Sequence, residues 1–491
     1  MMLTLQLILG IAFLLWIYIL WTRRKYYLLS RKLPGPLGYP ILGMLLQLMY
    51  REDILPTFSK YIEIYGPVFL SWLGPIPFLV VSEPQIAQDI LVSSHCVNKG
   101  IIYDALDDGT GHGLFSLKNP DWHVHRKLLN PAFSQKILLS FIPIFNENIN
   151  ELMRILDQHI GRGEIELTKI FQVVTLNIAA QTTMGKNISG IQNTEKQSLI
   201  KCYQCVLEHM TEMCFSPLLR YKWVQYLLGT YKPYSEAKNE IRKFIKNLIQ
   251  EKLSTNTPIE EKDKNIFINI AIELLKRGDF TMQNVEDESN VIVFGAFETT
   301  ANTIAYTLMM LSMFPECQEK VFEEIRSIFP YQGEFDVNYI DIKQMTYMDM
   351  VINETMRVMA PVPLVARQTA EDIHLSNGAI VPKGVQVVID IFHMHRRKDI
   401  WGDEAWNFNP ENFLPTNLEE KHSYAFMPFT KGLRNCIGWK YGLISVKITL
   451  AKLLRNYRFT TNFKYKDLAF VEDITLKFKE TPLFQVFRRE N

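Results

Sequence analysis

The residues with the clearest capacity for chemistry fall in one decapeptide, Phe429-Thr430-Lys431-Gly432-Leu433-Arg434-Asn435-Cys436-Ile437-Gly438. A single cysteine follows a turn that Gly432 permits, and Gly438 lets another group approach the backbone closely. The run 439–455 has helical periodicity, so Cys436 stands at a helix N-terminus. Free N–H groups and the helix dipole favour a thiolate there, and Arg434 adds a positive charge two residues away. A thiolate supported in this way can ligate iron; Cys436 alone would equally allow an inert cysteine buried beside a turn. A second candidate is Glu298-Thr299-Thr300 inside the apolar run 290–313. An acid in an apolar helix is costly without partners or work, although the threonines could bond back to carbonyls one turn earlier. Glu354 and Arg357 are three apart and share a helical face, as an ordinary surface ion pair also would.

Other pairings carry less. His123 and His125 are two apart in a helical region and point in different directions, which spoils them as a chelate. His393 and His395 could share a strand face. Cys202 and Cys205 form a lone Cys-x-x-Cys, whereas zinc needs four ligands. The six cysteines are few and irregularly spaced, in keeping with free thiols in a reducing compartment.

These groups need a scaffold, and the patterning predicts one that is mainly α with small β-sheets. The runs 68–73 and 78–81 flank Gly74-Pro75 and read as a hairpin. From about residue 84 to 320 helical periodicity dominates. In 234–253 charges lie on one face, with Ile241, Phe244, Ile245 and Ile249 on the other. The polar stretch 254–264 reads as an exposed loop, and strands return at 385–391 and 476–478.

The chain has 491 residues, 47% hydrophobic and 21% charged, with 53 Lys+Arg against 52 Asp+Glu and a net charge of +1. Disorder, collagen-like repetition and a basic nucleic-acid binder are thereby excluded. Apolar residues collect first at 3–21, which holds no charge in 19 positions and nearly matches a bilayer's hydrocarbon thickness. Arg23, Arg24 and Lys25 follow, with Trp16, Tyr18 and Trp21 near that end. No basic n-region and no small-residue cleavage site accompany the stretch, so a retained anchor is expected rather than a cleaved signal. The positive-inside rule then leaves the remainder in the cytosol. The expected organisation is an anchor with a basic stop over 1–25, a Pro/Gly-rich hinge over 26–45, and one catalytic domain over 46–491.

Phe429-x-x-Gly432-x-Arg434-x-Cys436-x-Gly438 resembles the haem-binding loop of the cytochrome P450 superfamily at every fixed position. The other signatures follow in the family's order, most similar to its family-four clan, including insect branches. The resemblance implies the cytochrome P450 fold, a single large haem domain, with Cys436 as axial ligand of haem iron. It makes Trp122, Arg126, Arg367 and Arg434 partners of the haem propionates, which need cationic or donor neighbours when buried. Glu354 and Arg357 become a buried pair under the haem core, and Asn412, where the family commonly has arginine, completes that network. Thr299 would stand beside the oxygen site with Glu298 relaying protons. Two departures stand out. Ala296 replaces a usual glycine. Gly295 replaces a glutamate that some members esterify to haem, so no covalent link is expected.

No Gly-x-Gly-x-x-Gly follows a strand, so electrons must come from outside. The resemblance implies a microsomal monooxygenase on the endoplasmic reticulum membrane, acting on a lipophilic substrate such as a fatty acid, a juvenoid or ecdysteroid hormone, or a xenobiotic. It implies an NADPH-dependent cytochrome reductase as donor, with cytochrome b5 as a possible second one. Lys421, Lys431, Lys440 and Lys447 would offer an acidic partner a basic face. Two alternatives remain: a haem-thiolate isomerase or dehydratase, and a non-catalytic haem-binding sensor or carrier. Glu298 and Thr299 speak against both. Segments 100–117 and 202–234, rich in Phe, Leu, Tyr and Met, are expected to roof the pocket.

Overall fold

The structure is a computed structural model that describes residues 2–36, 38–39, 42–254 and 266–490. It is mainly helical with small sheets, as the periodicity predicts. In chain order, the first elements that bear on the site are helix α1 (Met2–Thr22), strands β1 (Val68–Leu73) and β2 (Ile76–Val81), α2 (Asp121–Leu129) and α3 (Ile142–Asp157). Next come α4 (Leu167–Met184), α5 (Asn193–Phe215), α6 (Tyr231–Ser254), α7 (Met282–Met313) and α8 (Thr346–Val358). Strands β3 (Leu364–Gln368) and β4 (Gln386–Asp390), α9 (Trp439–Asn456), β5 (Phe470–Asp473) and β6 (Thr475–Phe478) complete the set.

The 32-residue α7 is the axis of the fold. It starts at a reciprocal cap: Thr281 Oγ1 accepts the Asn284 N–H at 3.1 Å and Asn284 Oδ1 accepts the Thr281 N–H at 2.9 Å, a capping box. It is longer than 290–313 because the polar residues before 290 are also buried: Asp287, Glu288, Ser289 and Asn290 all lie inside. α4, α6, α8 and α9 pack along it, so it can be apolar on nearly every side. Its hydroxyls bond back one turn, as with Thr303 to Thr299 O at 2.7 Å and Thr307 to Thr303 O at 2.8 Å.

The hairpin forms as predicted, antiparallel, turning at Gly74 with φ +58°. It extends to a four-stranded sheet in the order β1-β2-β4-β3, with β2 parallel to β4 and β3 antiparallel to it. The segment before β1 is bonded to the sheet. The Leu70 N–H donates to Pro34 O at 2.8 Å and the Met44 N–H to Trp72 O at 2.7 Å, while Tyr27 stacks on Trp72. Leu37, Pro40 and Ile41 of the expected hinge, and the expected polar loop beyond Ser254, lie outside the described residues. Among the described residues no single helix is long and apolar enough to cross a membrane; the apolar portion of α1 so described is Leu9–Tyr18.

Candidate active site

The cysteine loop precedes α9 and is closed by its own backbone. The Cys436 N–H donates to Phe429 O at 3.0 Å and the Asn435 N–H to Gly432 O at 3.3 Å. Gly432 has φ +77°, and a Cβ there would lie 2.1 Å from the carbonyl oxygen of Leu91. Gly432→Ala should therefore cost more than about 1 kcal/mol. Gly442→Ala, inside α9 with nothing within 4 Å of the new methyl, should be neutral or gain up to about 1 kcal/mol. Denaturant midpoints of the two variants check this contrast. Gly438 is different: with φ −94° and only a Phe133 ring carbon at 4.0 Å from its added Cβ, the polypeptide itself does not require glycine there. The space beside Gly438 is open to a group lying over Cys436.

Cys436 has open surface although it lies deep below the protein's outer boundary, the combination an internal hollow produces. On α7, buried from Asp287 to Ser312 apart from them, Gly295, Ala296 and Thr299 also keep open surface; their spacing puts them on one helical face. Thr299 donates to Gly295 O at 3.2 Å and the fully buried Thr300 to Ala296 O at 2.7 Å. The bonds back along the helix exist, and Thr299 is the threonine whose hydroxyl also meets the interior space.

Beside the loop lies a concentration of cations. Arg434 Nη1 donates to Leu117 O at 2.8 Å, its Nη2 is buried with no partner, and its Cζ sits 4.4 Å over the Trp122 ring. Arg367, buried, spends Nη1 on its neighbour Ala366 O at 2.8 Å. Arg126 bridges α2 to the loop through Asn435 O at 3.0 Å and Asn435 Oδ1 at 3.2 Å. Lys99 Nζ lies 4.4 Å over both the Tyr103 and Phe115 rings. Burial first, then Arg434 and Arg367, holds the Lys99 ammonium well below its usual range; burial and then Arg367 push Arg434 down to about 9. Among the described residues none of these four cations has a carboxylate partner. Such a donor set suits a buried dianion. With the sulfur of Cys436 and the space over Gly438, it fits haem and its two propionates.

The supporting network is complete. Arg357 Nε and Nη2 donate to Glu354 Oε2 and Oε1 at 2.6 and 2.7 Å, with both side chains fully buried. Arg357 also donates to His395 O, Ala405 O and Asn407 O. Glu354 Oε1 accepts the Asn409 N–H at 2.8 Å and the Asn412 amide at 3.1 Å, so the neutral Asn412 does reach the pair.

Several expectations need correction. Burial pushes the Cys436 thiol up, opposed by the Gly438 N–H, Arg126 and Lys99. Ionisation there calls for a metal's charge. Glu298 does not share the Thr299 face: its carboxylate is ion-paired with Lys477 on β6 and accepts the Gln172 amide at 3.2 Å. Lys447 is buried and paired with Asp349 at 2.7 Å, and Lys421 and Lys431 donate to Ile400 O and Ser423 O. Of the four lysines only Lys440 is largely exposed. The histidine pairs serve structure: His125 Nδ1 lies 2.6 Å from Glu288 Oε1, His393 Nδ1 2.6 Å from Asp390 Oδ2, and His395 Nε2 accepts the Met427 N–H. Lys99 and Lys477 were missed. Neither sits in a motif, and their roles arise from contacts between segments far apart in the chain.

A cysteine sulfur with open surface inside the protein, a helix face of small and hydroxyl side chains that also keeps open surface, and buried cations without carboxylate partners among the described residues fit a haem-thiolate protein. The family model for cytochrome P450 matches residues 33–480. "Probable cytochrome P450 313a4" of Drosophila melanogaster is 57% identical over 99% of this chain and 100% of its own length. "Probable cytochrome P450 313a1" of the same fly is 39% identical over 99% and 100%, and its "Cytochrome P450 4c3" is 30% identical over 91% and 88%. The chain belongs to the cytochrome P450 family and is an oxygenase of the haem-thiolate kind. Its cofactor is haem, and it works with redox partners on a small-molecule substrate.

Proposed function

We propose that this chain is a membrane-held monooxygenase whose haem iron is ligated by Cys436. It inserts one oxygen atom into a lipophilic molecule using electrons passed from NADPH by a separate cytochrome reductase, with cytochrome b5 as a second donor. The observation that carries this reading is the convergence of Lys99, Arg126, Arg367 and Arg434, without carboxylates, around the Cys436 loop. When bound, haem supplies the redox chemistry that activates dioxygen.

The chain's own residues do the rest. Trp122, Arg126, Arg367, Arg434 and Lys99 would hold the propionates, and Phe429 and Gly438 would shape the space around the sulfur. Thr299 offers a hydroxyl proton on the open face of α7. Glu298, ion-paired with Lys477, ties β6 to α7 instead of serving that face. Gly295 carries no carboxyl, so acid extraction should release haem from the polypeptide; haem left attached would overturn that point. The largely apolar cavity lined by Ile102, Tyr103, Leu106, Cys214 and Phe215 from the two segments expected to roof the pocket, and by Leu364, Val365, Ala366, Glu472 and Ile474 from beyond them, supports a lipophilic substrate.

Exposed Leu9, Phe13, Trp16, Tyr18 and Trp21 on α1 support a lipid-facing helix. Exposed Leu218, Tyr221, Trp223, Tyr226, Leu227 and Leu228 support a second lipid contact, because aqueous surfaces rarely carry such patches. Arg23, Arg24 and Lys25 then orient the catalytic part to the cytosolic side of the endoplasmic reticulum.

A reconstituted assay with reductase, NADPH and lipid tests the reading. Product should require NADPH and dioxygen. Thr299→Val should keep consuming NADPH while product per NADPH falls at least about tenfold, as expected for loss of a positioned proton donor. Turnover of a peroxide substrate without any reductant would instead mark an isomerase.

A further inference from the structure

The hairpin of β5 and β6 turns at Ile474, whose φ of +62° is a costly conformation for a β-branched residue. The turn carries Glu472 and Ile474 to the wall of the apolar cavity also formed by Ile102, Tyr103, Leu106 and Leu364. Glu472 is 3% exposed, and its Oε2 is buried with no hydrogen-bond partner. Among the described residues no cation is ion-paired with it, although the Ile474 N–H and Arg51 favour its charged form. Arg51 is ion-paired with Asp473 and lies 3.7 Å from Glu208 and 3.9 Å from Glu212. Lys477, on β6, is taken by Glu298. Four carboxyl groups thus share one guanidinium; the ionisable groups that line the cavity with Glu472 are the Cys214 thiol and the Tyr103 phenol, and Arg220, beyond Cys214, donates to Met213 O. Arg220 lines the adjoining cavity with Ile102 and Phe215.

We propose that the substrate is a lipophilic amine carried as its ammonium ion, and that Glu472 binds the ammonium group while the apolar remainder extends toward the haem-thiolate centre. This rests on the cavity being the substrate end of the monooxygenase described above. A buried ammonium needs a paired, hydrogen-bonding anion, and here the fold has already stripped that anion of water. A fatty carboxylate would meet the same acidic surroundings as a repulsion. Burial, then Asp473, pushes Glu472 up to about 8. A cation that binds there displaces to solvent any proton the carboxyl carries. Cation affinity must rise with pH and level off once the carboxyl is ionised.

The test uses the full-length holoenzyme and spin-state titrations with dodecyltrimethylammonium, which neither loses a proton nor ligates iron, against dodecan-1-ol and dodecanoate. Wild type should bind the cation at least about tenfold more tightly than the alcohol at pH about 8.5, with dodecanoate weakest. Glu472→Gln should lose that preference while its affinity for the alcohol and its thiolate-type ferrous–CO spectrum stay unchanged. Should Glu472→Gln fail to fold, wild type alone decides: cation affinity should tighten from pH about 6.5 to about 9 while alcohol affinity stays flat. Equal affinities, a preference that survives in Glu472→Gln, or a pH-independent cation affinity would overturn the proposal. A wild type without the thiolate-type spectrum would overturn the haem-thiolate reading itself, and this one with it.

Discussion

An Arg357→Ala variant is expected to yield almost no folded, haem-loaded protein. The guanidinium is completely buried and meets Glu354 through two parallel bonds of 2.6 and 2.7 Å. It also serves three backbone carbonyls, at His395, Ala405 and Asn407, and lies 5.0 Å over the Trp401 ring. Removing it strands the Glu354 carboxylate in the core with only the Asn409 N–H and the Asn412 amide, and it orphans those carbonyls as well. Breaking a buried pair from one side costs about 3–5 kcal/mol, against a total stability of about 5–15 kcal/mol for an ordinary domain. Asn412→Ala is the control. It removes one bond of 3.1 Å, which costs about 1–3 kcal/mol because the acceptor is charged, and the variant should still load haem. Haem per polypeptide and the denaturant midpoint, measured on both variants, separate the two outcomes. An Arg357→Ala protein with wild-type values for both would show that the network is not what holds this region together.

What could be seen from the sequence was whatever is local. The cysteine loop, the Glu354-x-x-Arg357 turn and the Glu298-Thr299 pair lie within a few residues of each other, so spacing alone places them on a turn or a helix face. The hairpin at Gly74 and the helices at 234–253 and 439–455 were legible for the same reason, since period and punctuation are short-range signals. Contacts between distant segments were not. Lys99 meets the loop across more than 300 residues, and Lys477 reaches Glu298 across 179; neither carries a motif. Charge was misread where burial decided it. Lys447 looks like surface beside Cys436 but turns inward to Asp349, and the Cys436 thiol is pushed up because desolvation outweighs its helix-end position. Asn412 is the opposite case: a departure from the common family pattern that the geometry accommodates.

Loss of the Cys436 sulfur is expected to remove function altogether, whereas the fold should survive. The loop is closed by backbone bonds, Cys436 N–H to Phe429 O and Asn435 N–H to Gly432 O, and none of these needs the side chain. The cations would remain, so Cys436→Ala could still take up haem through its propionates but would offer no thiolate to the iron. Its monooxygenase turnover should fall below detection, while far-ultraviolet circular dichroism stays that of wild type.

The ferrous–CO difference spectrum of wild type and Cys436→Ala, recorded on the same preparations, tests the central claim most directly. The expected result is the red-shifted, thiolate-type Soret band in wild type and its complete absence in Cys436→Ala. A thiolate-type band that persists in Cys436→Ala would mean that another residue ligates the iron.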